Sequence, residues 1–192
     1  FSSFTSKRGD NSQDGLYMFS DESTVVKYFV DTGILEYYNY ISLDENKNQT
    51  LTTAYSVCWN FLKNDKSLTT DIYLSGVEMG GEGLEFYFDY VIDGVPIRLG
   101  QELSESTQME HALEIVVKDN SVRKYRRYAF NFQKSNVIDT VTIDFSSALS
   151  EVMQSFDQAE EITKVEDMLL AYEINSSDRA ERKWFITILD TT

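Results

Sequence analysis

Apolar and polar side chains alternate through residues 84–92. Leu84, Phe86, Phe88, Tyr90 and Ile92 fall on one side, and Glu85, Tyr87, Asp89 and Asp93 on the other. A period of two describes a strand with one face buried. Asp93-Gly94 is a turn signal that ends it, and Pro96, the single proline, argues against a regular central strand immediately beyond.

Strand-like runs of β-branched and aromatic residues recur on both sides of this segment. A short strand is expected at 16–20. A hairpin at 25–30 and 34–42 turns through Asp31-Thr32-Gly33. The period then changes. Thr50 can cap a helix to about residue 63, on which Leu51, Ala54, Tyr55, Cys58, Phe61 and Leu62 share a face. Strands at 71–79 and 84–92 follow, joined by Gly80-Gly81-Glu82-Gly83, where glycine accepts positive φ. A polar connector occupies 101–110. Beyond it come a hairpin, 112–118 and 122–132, turned by Asp119-Asn120-Ser121, and a helix at about 146–157 that could continue to 164. Strands at 167–174 and 182–189 close the chain.

Both halves therefore read ββαββ. Aligning VDTGILEYYNY with KDNSVRKYRRY sets Asp31 on Asp119, Ile34 on Val122, Tyr37 on Tyr125 and Tyr40 on Tyr128 at one constant offset. YLSGVEM likewise matches MLLAYEI, with Glu78 on Glu173. The expected fold is α+β: tandem ββαββ units, each an antiparallel four-stranded sheet packed against one helix. Residues 1–15 form a linker, 16–100 the first unit and 101–192 the second. The segment 83–132 is their junction.

Composition narrows the function classes. The 192 residues include 12 Tyr and 12 Phe, enough for a real core. The net charge of -15 disfavours nucleic acid and anionic lipid as primary ligands. One cysteine, Cys58, excludes an intramolecular disulfide. With one histidine, His111, it could form a Cys–His dyad, but Cys58 falls on the apolar face of a helix, where an inert thiol is expected. Asp44, Glu45, Asn46 and Asn48 lack the spacing of a calcium loop, and one Cys and one His do not make a zinc site. No phosphate-binding glycine motif is present. No catalytic residue, metal or cofactor is assigned.

One feature runs against the acidic background. Arg123, Lys124, Arg126 and Arg127 place four of the 17 basic residues within five positions. On a strand Arg123, Tyr125 and Arg127 would share one face, and Lys124, Arg126 and Tyr128 the other. The plain reading pairs these cations with acidic neighbours along a protected edge. The sharper reading makes them a contact patch for an acidic partner or for lipid headgroups.

The stretch FDYVIDGVPI (88–97), followed by ALEIVVKDNSVRKYRRYAF, resembles the YycI/YycH family, and YycI more nearly. These are accessory regulators of the WalK (YycG) sensor histidine kinase in low-GC Gram-positive bacteria. The closing VEDMLLAYEINSS and RKWFITI, with Trp184, also resemble the family's last strand pair. Arg182-Lys183 stand where the family has a nearby proline. The resemblance implies tandem ββαββ units on the extracellular face of the membrane and one N-terminal membrane anchor. The chain starts at Phe1 rather than Met, and the anchor is expected to lie before it. The implied role is non-enzymatic: binding the membrane sensor kinase and a sister regulator in two-component signalling for cell-wall homeostasis. A PepSY-like module that holds a peptide or inhibits a protease is the alternative. A carboxylate-based hydrolase is a third reading.

Overall fold

A computed structural model describes residues 15–41, 49–130, 132, 143–155, 162–175 and 180–190. The protein is α+β, and the described residues form ten strands in one mostly antiparallel sheet and three helices. The strands are β1 (Leu16–Ser20), β2 (Thr24–Phe29), β3 (Ile34–Asn39), β4 (Ile72–Gly80), β5 (Gly83–Ile92), β6 (Val95–Leu99), β7 (Leu113–Lys118), β8 (Ser121–Tyr128), β9 (Ile162–Ile174) and β10 (Ala180–Asp190). The helices are α1 (Leu51–Asn64), α2 (Gln101–Thr107) and α3 (Phe145–Ser155).

The order ββαββ occurs twice, as β2β3α1β4β5 and as β7β8α3β9β10. The strands of the two halves are nevertheless joined into one sheet. Its order is β1-β2-β3-β8-β7-β5-β6-β9-β10, with β4 attached to β5. The β7–β8 hairpin thus lies between β3 and β5. Tyr37 and Tyr125, equivalent by the repeat alignment, are direct antiparallel partners in the β3–β8 ladder. Equivalent strands therefore meet about a local two-fold.

Local chemistry explains most elements. The Thr50 hydroxyl accepts from the Thr53 amide at 3.2 Å and the Thr50 amide donates to Thr53 Oγ1 at 3.0 Å, a reciprocal cap that starts α1. Asp119 and Asn120 are both left-handed, the two-residue turn that suits a twisted hairpin. Gly83 sits at φ +146°, and a Cβ there would come within 2.4 Å of the Val117 carbonyl, so the β5–β7 ladder itself requires glycine.

Three expectations need correction. Pro96 does lie in a strand, β6, between β5 and β9. β5 pairing ends at Pro96 and the parallel pairing with β9 begins at Ile97, so the missing N–H falls where one ladder hands over to the other. The connector 101–110 contains α2, whose roughly two turns are stopped by left-handed Gln108. The last expected helix does not reach residue 164, because β9 already begins at Ile162.

The main core forms beneath α1. Ala54, Cys58 and Leu62 pack on Phe86, Phe88, Leu113, Ile115, Val117, Val122 and Tyr125, drawn from both halves of the chain. A smaller cluster on Ile34, Met109 and Tyr128 includes Leu103 of α2. α1 and α2 thus each cover part of the sheet. At the far end Phe145 packs edge-on against Trp184, whose indole N–H donates to the Ile143 carbonyl at 2.9 Å.

Candidate functional site

Two groupings carry the polar chemistry of the centre of the sheet. The first is the basic run on β8. A bulge at Arg123, opposite Val116 and Val117 of β7, takes that residue out of the β7–β8 register, so the simple alternation expected there is broken. Arg123 donates to the Ile41 carbonyl and pairs with Asp119 at 3.2 Å. Arg126 reaches Glu36 at 3.2 Å and Glu114 at 3.3 Å, and donates to the Thr107 and Gln108 carbonyls. It thereby ties β3, β7 and the end of α2 together. Arg127 is 3% exposed. It pairs with Asp65, the C-cap of α1, at 3.3 Å and donates to Ser67 Oγ at 2.8 Å. The Tyr125 hydroxyl donates to the same Asp65 oxygen at 3.0 Å. Lys124 has no carboxylate within ion-pair distance among the described residues. The three arginines are therefore joints between elements, and Lys124 differs from them.

The second grouping was not anticipated. Asp89, on the side of β5 expected to be polar, is fully buried. Its Oδ1 accepts from the Ala112 amide at 3.0 Å and its Oδ2 from His111 Nδ1 at 3.0 Å. Ser75 Oγ lies 3.1 Å from the same Nδ1, and the Tyr87 ring stacks on the imidazole with centroids 4.9 Å apart. Serine, histidine and aspartate thus meet, but not as a relay. A relay needs aspartate on Nδ1 and serine on Nε2, whereas here both partners share Nδ1. A carboxylate only accepts, so Nδ1 carries the proton that Asp89 receives and has no lone pair to activate Ser75. The group instead fixes the start of β7 against β4 and β5. The alternation could not reveal it, because an inward carboxylate is signalled by its partners and not by its own strand.

Cys58 and His111 do not form a dyad. Cys58 lies in the α1 core, where burial pushes its thiol up to about 12, far from a nucleophilic thiolate. The Asp44–Asn48 loop lies outside the described residues. Among the described residues no group of three His, Cys, Asp or Glu side chains is placed to hold a metal ion. Among them, too, no helix is long and apolar enough to cross a membrane.

The fold is similar to that of YycH. The crystal structure of YycH from Bacillus subtilis superposes with a TM-score of 0.57 at 12% identity, over 89% of this chain. The chain spans 41% of the length of that YycH chain. No family model matches the sequence. No curated protein matches it either. The likeness to YycH is therefore one of fold, which accords with the family resemblance at that level.

Proposed function

We propose that this chain is an extracytoplasmic regulatory domain that acts by binding other proteins, namely a membrane sensor histidine kinase of the WalK type and a sister regulator. The fold likeness to YycH across 89% of the chain carries this reading. The sequence resemblance to the YycI/YycH family, and to YycI in particular, points the same way. The Ser75–His111–Asp89 geometry, in which no serine is activated, favours binding over hydrolysis. The mechanism is conformational. Binding shifts a kinase between states only if the domain has different affinities for them. Contact through β8 falls on Lys124 and the outer part of Arg123, since Arg126 and Arg127 are engaged by Glu36, Glu114 and Asp65.

The test is co-purification of the full-length protein from its native membrane. Recovery of a sensor kinase together with a sister regulator is the expected result. Recovery of neither overturns the assignment. Replacing Arg123, Lys124, Arg126 and Arg127 with Ser tests the patch, with Lys124→Ser alone as the variant that breaks none of the arginine ion pairs; unchanged partner recovery with Lys124→Ser removes Lys124 from the interface.

A further inference from the structure

Among the described residues the sheet ends on β1 and β10, and β4 is a side branch whose one neighbour is β5. Open edges invite added strands and are normally blunted by shortness, proline or charge. β1 is short, with five residues. β10 carries Glu181, Arg182 and Lys183. β4 has nine residues, IYLSGVEMG, with no proline, no lysine and one charge, Glu78. Its ladder with β5 is broken once, between Leu74 and Gly76.

The side chains along this edge form a two-sided pattern. Leu74, Val77 and Met79 stand opposite Phe88, Phe86 and Leu84, so they share the face that α1 covers. The helix stops short of them. Tyr55 of α1 packs on Phe86 with ring centroids 6.0 Å apart, and Trp59 stacks beside Tyr55. One strand further out, Leu74, Val77 and Met79 are 41%, 36% and 77% exposed. They make an apolar shelf with Tyr55 at its back. On the opposite face Glu78 stands across from Glu85. The Tyr87 hydroxyl donates to Glu85 at 2.9 Å and to Glu78 at 3.4 Å. Burial, and then Glu85 and Glu78, push the Tyr87 phenol well up. Neither glutamate has a cationic partner among the described residues.

We propose that the free edge of β4 is a strand-addition site for an extended segment of a partner protein in which apolar and basic residues alternate. The segment's main chain would continue the β4 ladder. Its apolar side chains would lie on Leu74, Val77 and Met79 against Tyr55, and its cations would meet Glu78 and Glu85. A second copy of this chain fits less well, because antiparallel β4 edges would bring acidic faces together in a protein of net charge -15. This inference is independent of the kinase assignment and can be tested without any kinase.

The probe is a fluorescein-labelled nonapeptide alternating valine and lysine, titrated with the full chain and followed by anisotropy. Controls are a peptide of the same composition with the lysines in one block and an alternating valine–glutamate peptide. The alternating valine–lysine peptide should bind at least about tenfold more tightly than either control, and more weakly as salt rises. The variant Leu74→Lys/Met79→Lys changes exposed positions only and should lose at least about tenfold in affinity with its melting temperature kept. Hydrogen exchange should show new protection at amides 72–80. Equal binding of the block peptide, protection gained elsewhere, or unchanged affinity of the variant overturns the proposal. Concentration-dependent dimerisation abolished by Met79→Lys, without peptide uptake, overturns it in favour of a second copy.

Discussion

Removing the Asp65 carboxylate should be far more damaging than its position at a helix end suggests. In Asp65→Ala the Arg127 guanidinium stays where β8 holds it, with its side chain 4% exposed, and loses its counter-charge at 3.3 Å. At an effective dielectric of about 20, that separation corresponds to about 5 kcal/mol of gross attraction. Breaking a buried pair from one side typically costs about 3–5 kcal/mol, because the remaining charge is left desolvated. Asp65 is itself 16% exposed, which places the expected loss near the lower end, about 3 kcal/mol. Part of the loss belongs to Tyr125, whose hydroxyl also loses its acceptor; Tyr125→Phe measures that share, about 1 kcal/mol. Urea unfolding followed by tryptophan fluorescence is a suitable assay. With a slope of about 3 kcal/mol per M, the midpoint falls by about 1 M. The reverse truncation, Arg127→Met, removes the more deeply buried charge and leaves an aspartate that water can reach, so it should cost less. Asp65→Ala/Arg127→Met should then be more stable than Asp65→Ala alone. A loss below about 1 kcal/mol in Asp65→Ala, the value of an exposed pair, refutes the reasoning. So does a double variant less stable than Asp65→Ala.

Cys58 should resist iodoacetamide at pH 8 in the folded protein and react once urea unfolds it, since burial lifts its thiol to about 12; labelling at a free-thiol rate without denaturant contradicts the packed α1 core. Burial pushes the Glu114 carboxyl above the ordinary carboxylate value, although Arg126 and Lys124 oppose the shift. A raised acid binds its proton more tightly in the folded state, so its stability cost is present at neutral pH and relieved as pH falls through the folded value. The stability of the protein relative to Glu114→Gln should therefore improve between pH 7 and pH 4.5, and a worsening gap would show that Arg126 dominates the site.

Much of the local structure was legible in the chain. Alternation located β5, Thr50 located the start of α1, and Asp119-Asn120 located the β7–β8 turn, because each signal is spent within a few residues. α2 was missed because its seven residues bring one large apolar side chain, Leu103, to the core and have no side-chain cap. The basic run and its pairing with acidic residues were legible, but not the partners, nor that β8 lies between β3 and β7 and not at an edge. Nothing near residue 126 in the sequence names Glu36 or Glu114, and nothing near residue 127 names Asp65. The Asp89–His111–Ser75 group was hidden for the same reason, since its members come from three strands or their approaches.

The sequence by itself determined most of the elements, β6 and α2 apart, and the ββαββ order that occurs twice, because these depend on side-chain period, caps and turn residues. Only the tertiary structure decided that the two repeats would share a sheet, with Tyr37 facing Tyr125 and β7–β8 set between β3 and β5. Strand pairing is a contest among partners far apart in sequence, settled by which arrangement buries both apolar faces and pairs the inward charges at once. Among the described residues, the same contest left β4 with one neighbour, and so determined where the sheet is open.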